Sequence, residues 1–149
     1  AVATDIQSGS EMVFGTGNTG SAVRASCSIP GVFAPQLIGG RMYVDGGVVS
    51  PVAVDAARRL GADVVIAVDI SGNGEGPKPQ GTLRTILQAI SIMYERISSN
   101  QLQRADVVIR PRVGSIGSAD FSKRNEAVLE GERAATAALP AIREALSRR

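Results

Sequence analysis

The chain has 149 residues, 44% hydrophobic and 20% charged, with 16 basic against 14 acidic side chains and a net charge of +2. This is the composition of one ordinary globular domain, and it excludes a disordered segment and a strongly basic nucleic-acid surface; no apolar run approaches the ~20 residues needed to span a bilayer. With no histidine, one cysteine (Cys27) and five aromatic residues (Tyr 2, Phe 3), the chain cannot by itself build an ordinary zinc site, an intrachain disulfide, a Ser-His-Asp triad or an aromatic platform for single-stranded nucleic acid.

In chain order, Val2 to Ile6 and Glu11 to Phe14 are extended runs joined by Gln7-Ser8-Gly9-Ser10, a predicted hairpin. Gly15-Thr16-Gly17-Asn18-Thr19-Gly20 has G-x-G-x-x-G spacing, which marks a dinucleotide site only inside a βαβ unit with an acid about 20 residues on. Ile38, Gly39, Gly40 and Arg41 stand at that offset, so a plain loop is the better reading and nucleotide binding the alternative. Ser21 to Ser26 predicts one or two helical turns, ended by Pro30-Gly31. Gln36 to Ile38 and Arg41 to Val44 read as strands around a tight Gly39-Gly40 turn.

The stretch Met42-Tyr43-Val44-Asp45-Gly46-Gly47-Val48-Val49-Ser50-Pro51 puts one carboxylate at the end of an apolar run, followed by two residues with no side chain. Asp-Gly between apolar runs is also ordinary turn chemistry, and both readings of Asp45 stay open on these residues alone. Ser50 is the expected N-cap and Pro51 the first position of a helix whose apolar face is Val52, Ala53, Ala56, Ala57 and Leu60, with Gly61 as its stop. Val64 to Val68 is a continuous β-branched run, the pattern of a strand buried on both faces in a parallel sheet. Asp69 ends it.

Residues 72–81 contain four glycines and two prolines and predict a loop. Leu83, Ile86, Leu87, Ile90, Met93, Tyr94 and Ile97 follow helical spacing, with core packing as the expectation and a membrane or partner helix as the alternative. Val107 to Ile109 is a further buried strand. Residues 62–66 and 105–109 are both Ala-Asp-Val-Val-Ile, two similar strand entries rather than a repeat fold. Residues 114–122 read as loop and Asn125 to Arg149 as helix, with Pro140 a break or kink. No stretch reads as a linker between domains. Strands alternating with helices over the last two thirds predict an α/β class: a three-layer sandwich with a mostly parallel central sheet and an N-terminal hairpin. Ligands in such sheets bind beyond the carboxyl ends of strands, where Asp45 stands.

Three blocks are specific enough to identify a resemblance: Val23-Arg24-Ala25-Ser26-Cys27-Ser28-Ile29-Pro30-Gly31-Val32-Phe33-Ala34-Pro35, Tyr43-Val44-Asp45-Gly46-Gly47-Val48-Val49-Ser50-Pro51-Val52, and Leu60-Gly61-Ala62-Asp63-Val64-Val65-Ile66-Ala67-Val68-Asp69. Together they resemble the C-terminal half of bacterial patatin-like phospholipases, collinear from about Val2 to the last helix. The resemblance implies a hydrolase of lipid acyl esters working through a Ser–Asp dyad, with Asp45 as the dyad acid, Gly46 and Gly47 shaping its turn, and no cofactor or metal. It implies a lipid or acyl-ester substrate. The single cysteine fits a reducing compartment, and the expectation is a cytoplasmic protein that can sit peripherally at a membrane. The family's nucleophile lies in a G-x-S-x-G elbow, and no such motif occurs in these residues.

The chain also opens inside a strand-like run without an initiator Met. The expectation is therefore that residues 1–149 are the C-terminal part of one hydrolase domain, inactive without an N-terminal half that carries the serine, and prone to self-association. The alternative is a non-catalytic binding or regulatory module on the same half-fold. Ser26 and Ser28 are alternative nucleophiles without elbow context, and Cys27 reads as a small core residue.

Overall fold

The computed structural model describes residues 1–71, 80–117 and 120–148, and only the backbone of Leu83. Most of the predicted loop over 72–81, part of that over 114–122, and Arg149 therefore lie outside the described residues. The chain forms a mixed α/β structure, and the strands among the described residues fall into two sheets.

The first sheet is four-stranded. Strands β1 (Val2–Asp5) and β2 (Glu11–Val13) form the predicted hairpin, and β3 (Gln36–Ile38) and β4 (Arg41–Asp45) form a second one. The order is β2-β1-β4-β3 and every pairing is antiparallel. The β3–β4 turn is tight because Gly39 and Gly40 both take positive φ, 57° and 78°, which side-chain-bearing residues rarely adopt. Helix α1 (Thr19–Ser26), capped by the Asn18 side chain on the Ser21 N–H, covers one face of this sheet. Its Ala25 packs with Ala3 and Tyr43, flanked by Met12, Phe14 and Ile38.

The G-x-G-x-x-G loop thus runs from an antiparallel hairpin into a short helix. The next strands also pair antiparallel, so no βαβ unit is formed there and the geometry of a dinucleotide fingerprint is missing.

The second sheet pairs β5 (Ile66–Val68) with β6 (Val107–Ile109) in parallel. Its core is Val54, Val65, Ala67 and Leu102, supplied in part by α2 (Val54–Arg59) and α3 (Thr82–Leu102). Helix α4 (Arg124–Ser147) packs against β6 and continues through Pro140 rather than breaking there. A mostly parallel central sheet was expected; among the described residues only β5 and β6 are parallel.

Three further expectations are corrected. The run from Val64 to Val68 is not buried on both faces: Ala67 is buried, whereas Ile66 and Val68 are 42% and 52% exposed. Strand alternation puts them on the opposite side from Ala67, and the described part of the chain does not cover that side. The stripe on α3 is likewise only partly core, because Ile86 and Met93 are about half exposed. Cys27 is exposed at the C-cap of α1 and is not a core residue.

Ser50 is not an N-cap either. The turn after β4 continues, with the Ser50 N–H bonded to the Gly46 carbonyl, and α2 starts only at Val54. Ser50 is instead buried and accepts a hydrogen bond from Gln101 Nε2 at 3.1 Å, while Gln101 Oε1 accepts from the Val52 N–H at 3.1 Å. One side chain of α3 thus fixes the segment between the Asp45 turn and α2.

Candidate active site

Asp45 is the last residue of β4, the strand between β1 and β3. Its backbone is held from two sides. The Asp45 N–H donates to the Ser28 carbonyl at 2.9 Å, and the Thr4 hydroxyl donates to the Asp45 carbonyl at 3.0 Å. Its side chain caps a single 3-10 turn over Gly46–Val48, with the Gly47 N–H donating to Oδ1 at 2.7 Å.

Both glycines are required by space rather than by φ. A Cβ on Gly46 would lie 2.4 Å from the Val2 carbonyl oxygen. One on Gly47 would lie 2.8 Å from Tyr94 Cε2 and 2.9 Å from Asp45 Oδ1. The turn is therefore wedged between the backbone of β1 and a ring on α3.

Asp45 opens into a cavity of about 470 Å³. Ser26, Ser50, Asp69, Tyr94 and Ser98 also line it. Burial pushes the Asp45 carboxyl above its ordinary range, and the Gly47 N–H opposes that shift. Among the described residues no Lys or Arg pairs with it.

Asp69, which also ends a strand, differs in this respect. Its Oδ2 accepts from Arg110 Nε at 3.1 Å, and its Oδ1 is taken up by the Ser71 N–H and hydroxyl. Both Asp69 oxygens are thus engaged, whereas Asp45 is partly desolvated and has no cation beside it among the described residues. A larger cavity of about 1130 Å³ shares Asp69 and Ser71 but does not reach Asp45.

The alternative serines separate. Ser28 is fully buried and its hydroxyl donates to the Arg24 carbonyl at 2.7 Å, which commits it to the end of α1. Ser26 lines the cavity with Asp45, but it is the last residue of α1. The carbonyl end of a helix disfavours a developing oxyanion, the reverse of an elbow serine at a helix N-terminus.

Tyr94 and Ser98, four residues apart on α3, join the site although the sequence offered Tyr94 only as one member of an apolar stripe. Their i, i+4 spacing puts them on one face of the helix, but nothing in the spacing says that this face meets the Asp45 turn. Gln101 was missed for the same reason. Among the described residues no helix is long and apolar enough to cross a membrane.

Residues 6–58, which include Asp45 and its turn, match the family model for patatin-like phospholipases. An uncharacterized NTE family protein of Mycobacterium tuberculosis is 42% identical over 77 residues, 52% of this chain and 21% of the relative. A second one from the same organism is 30% identical over 166 aligned positions, 95% of this chain and 28% of the relative. A lysophospholipase of Pyricularia oryzae is 27% identical over 122 residues, covering 81% of this chain and 8% of that protein. The chain therefore spans about a quarter of the length of the mycobacterial relatives. The family match across the Asp45 turn and the similarity to NTE family proteins along the rest of the chain support a patatin-like phospholipase.

Proposed function

We propose that this chain supplies the acid of a Ser–Asp dyad that hydrolyses acyl esters of lipids, with Asp45 as the proton acceptor and a serine outside these 149 residues as the nucleophile. The observation that carries the reading is Asp45 itself: a partly desolvated carboxylate with no cation beside it among the described residues, at a strand end, on a turn that admits no side chain, open to a cavity. A serine hydroxyl attacks an ester carbonyl only if something takes its proton. With no histidine in the chain, a carboxylate in this setting can do so. The proton then passes to the leaving alkoxide, and water repeats the sequence on the acyl-enzyme. The names of the relatives, a lysophospholipase among them, support a lipid ester as substrate. On the same reading the parallel pair β5–β6 belongs to a larger parallel sheet whose other strands lie outside these residues.

The test has two parts. The 149-residue chain alone should hydrolyse no p-nitrophenyl acyl ester above background, because neither the nucleophile nor oxyanion-stabilising donors are at hand. In a protein that joins this chain to its nucleophile-bearing segment, Asp45→Asn should lower kcat by about 10⁴-fold, the scale of losing the carboxylate of a triad. Asp69→Asn should retain most of the activity. Equal turnover by Asp45→Asn and the unmutated protein, at matched folded concentration, would sink the assignment. It would leave the non-catalytic module as the better account.

A further inference from the structure

The carboxylate at the centre of this site has an unmatched neighbour. Tyr94 Oη is buried and has no hydrogen-bond partner among the described residues. A buried tyrosine hydroxyl ordinarily finds an acceptor, and leaving it without one costs stability. On Asp45 the position is complementary: Oδ1 accepts from the Gly47 N–H, and no donor reaches Oδ2 among the described residues. Donor and acceptor line the same cavity and flank the same turn. A single methyl placed on Gly47 would lie 3.0 Å from Tyr94 Cζ, the carbon that bears the hydroxyl, and 2.9 Å from Asp45 Oδ1. The terminal torsion of an aspartate is broad, so the carboxylate can turn toward the ring at little cost.

We propose that Tyr94 is a positioning residue of the site, whose hydroxyl donates to the second oxygen of Asp45 when the nucleophile is engaged. The Gly47 N–H and the tyrosine then hold the carboxylate from two directions and aim it at the serine proton. Tyr94 is suited to this because it keeps its own proton: burial and the adjacent Asp45 charge push its hydroxyl up to about 12. The titratable groups that line the cavity with Asp45 are Tyr94 from α3 and, just past the end of β5, Asp69, whose charge is tied to Arg110; the rest of the polar lining is serine hydroxyls. The inference rests on the Ser–Asp reading.

The experiment is Tyr94→Phe, which keeps the ring against Gly47 and removes only the hydroxyl, set beside Asp45→Asn in the protein that joins this chain to its nucleophile. Phospholipid-like p-nitrophenyl esters serve as substrate across a pH series. The expected result is a fall in kcat of about tenfold, the scale of a hydrogen bond to a charged group, with KM little changed. The acid limb of kcat/KM should move to higher pH, because the ionised carboxylate loses a donor that stabilised it. Thermal stability should hold or rise, since the unpartnered hydroxyl is gone. An unchanged acid limb and kcat in Tyr94→Phe, with Asp45→Asn inactive, would overturn the role of Tyr94 and leave the dyad standing. A lower Tm with normal kinetics would show that the hydroxyl has a structural partner, and would overturn it as well. Activity surviving in Asp45→Asn would remove the dyad and this inference together.

Discussion

At the scale of single residues, the site depends on two positions where a side chain cannot be accommodated. Gly46 faces the backbone of β1 and Gly47 faces the Tyr94 ring and the Asp45 carboxylate. Overpacking of this kind typically costs ~1–3 kcal/mol. We expect both Gly46→Ala and Gly47→Ala to lower the urea midpoint, Gly46→Ala more so because the Val2 carbonyl is held in a sheet while an aromatic ring can shift. Gly47→Ala should also reduce activity beyond its loss of stability, since the added methyl crowds Oδ1. A Gly46→Ala protein with an unaltered midpoint would mean that the turn is looser than its contacts imply. Asp45 has the opposite economy. Its carboxyl is raised by burial, so the ionised form opposes folding above that raised value.

At the scale of elements, the N-terminal hairpin is tied to the β3–β4 hairpin through Asp5. This buried carboxylate accepts from Arg41 and from the Gln7 and Ser8 N–H groups at 3.0 and 3.2 Å, closing the turn after β1. The Arg41 side chain, with the two N–H groups, holds the Asp5 carboxyl below its ordinary range against the opposing effect of burial. The sign follows from linkage: a lowered folded value adds stability above the ordinary carboxylate pKa, and that stability is lost as pH falls through the folded value. Asp5→Asn should therefore have a lower Tm at pH 7, and its Tm should converge with that of the unmutated chain in acid. Parallel Tm curves across the whole range would show that the Arg41 pairing contributes nothing to the hairpin.

At the scale of the whole molecule, the two sheets are finished to different degrees. Among the described residues, the antiparallel sheet has four strands and a covering helix, whereas the parallel sheet has two strands, and a two-stranded sheet is marginal without further cover. Ile66, Val68 and Ile70 at the end of β5 are 42%, 52% and 68% exposed, and Ile86, Ile92 and Met93 leave about half of their surface open on α3. Open edges beside exposed apolar side chains promote pairing with another chain. Light scattering on the isolated chain should give a mass above the 15.4 kDa monomer, and Val68→Lys should shift the distribution toward monomer. A monodisperse monomer at high concentration with one cooperative unfolding transition would contradict this.

The local chemistry was legible in the sequence because it is short-range. Alternation and turn residues located both hairpins, Gly39-Gly40 marked the tight turn of the second, and the Asp45-Gly46-Gly47 turn stood out as a carboxylate ending a strand. That residues 64–68 and 107–109 hold strands of a parallel-sheet type was likewise legible in two β-branched runs separated by a helix, though not that the two pair with each other. What the sequence could not say is which strands pair across the chain and which face of each element is covered. The same β-branched run from Val64 to Val68 fits a strand buried on two faces or on one, and only the partners packed around it decide. Ser50 reads as a cap until Gln101, 51 residues away, takes its hydroxyl. Tyr94 reads as core until α3 lies against Gly47. Spacing along a chain encodes direction within one element, but contact between elements depends on their relative placement, and that placement turned an ordinary helical tyrosine into a neighbour of Asp45.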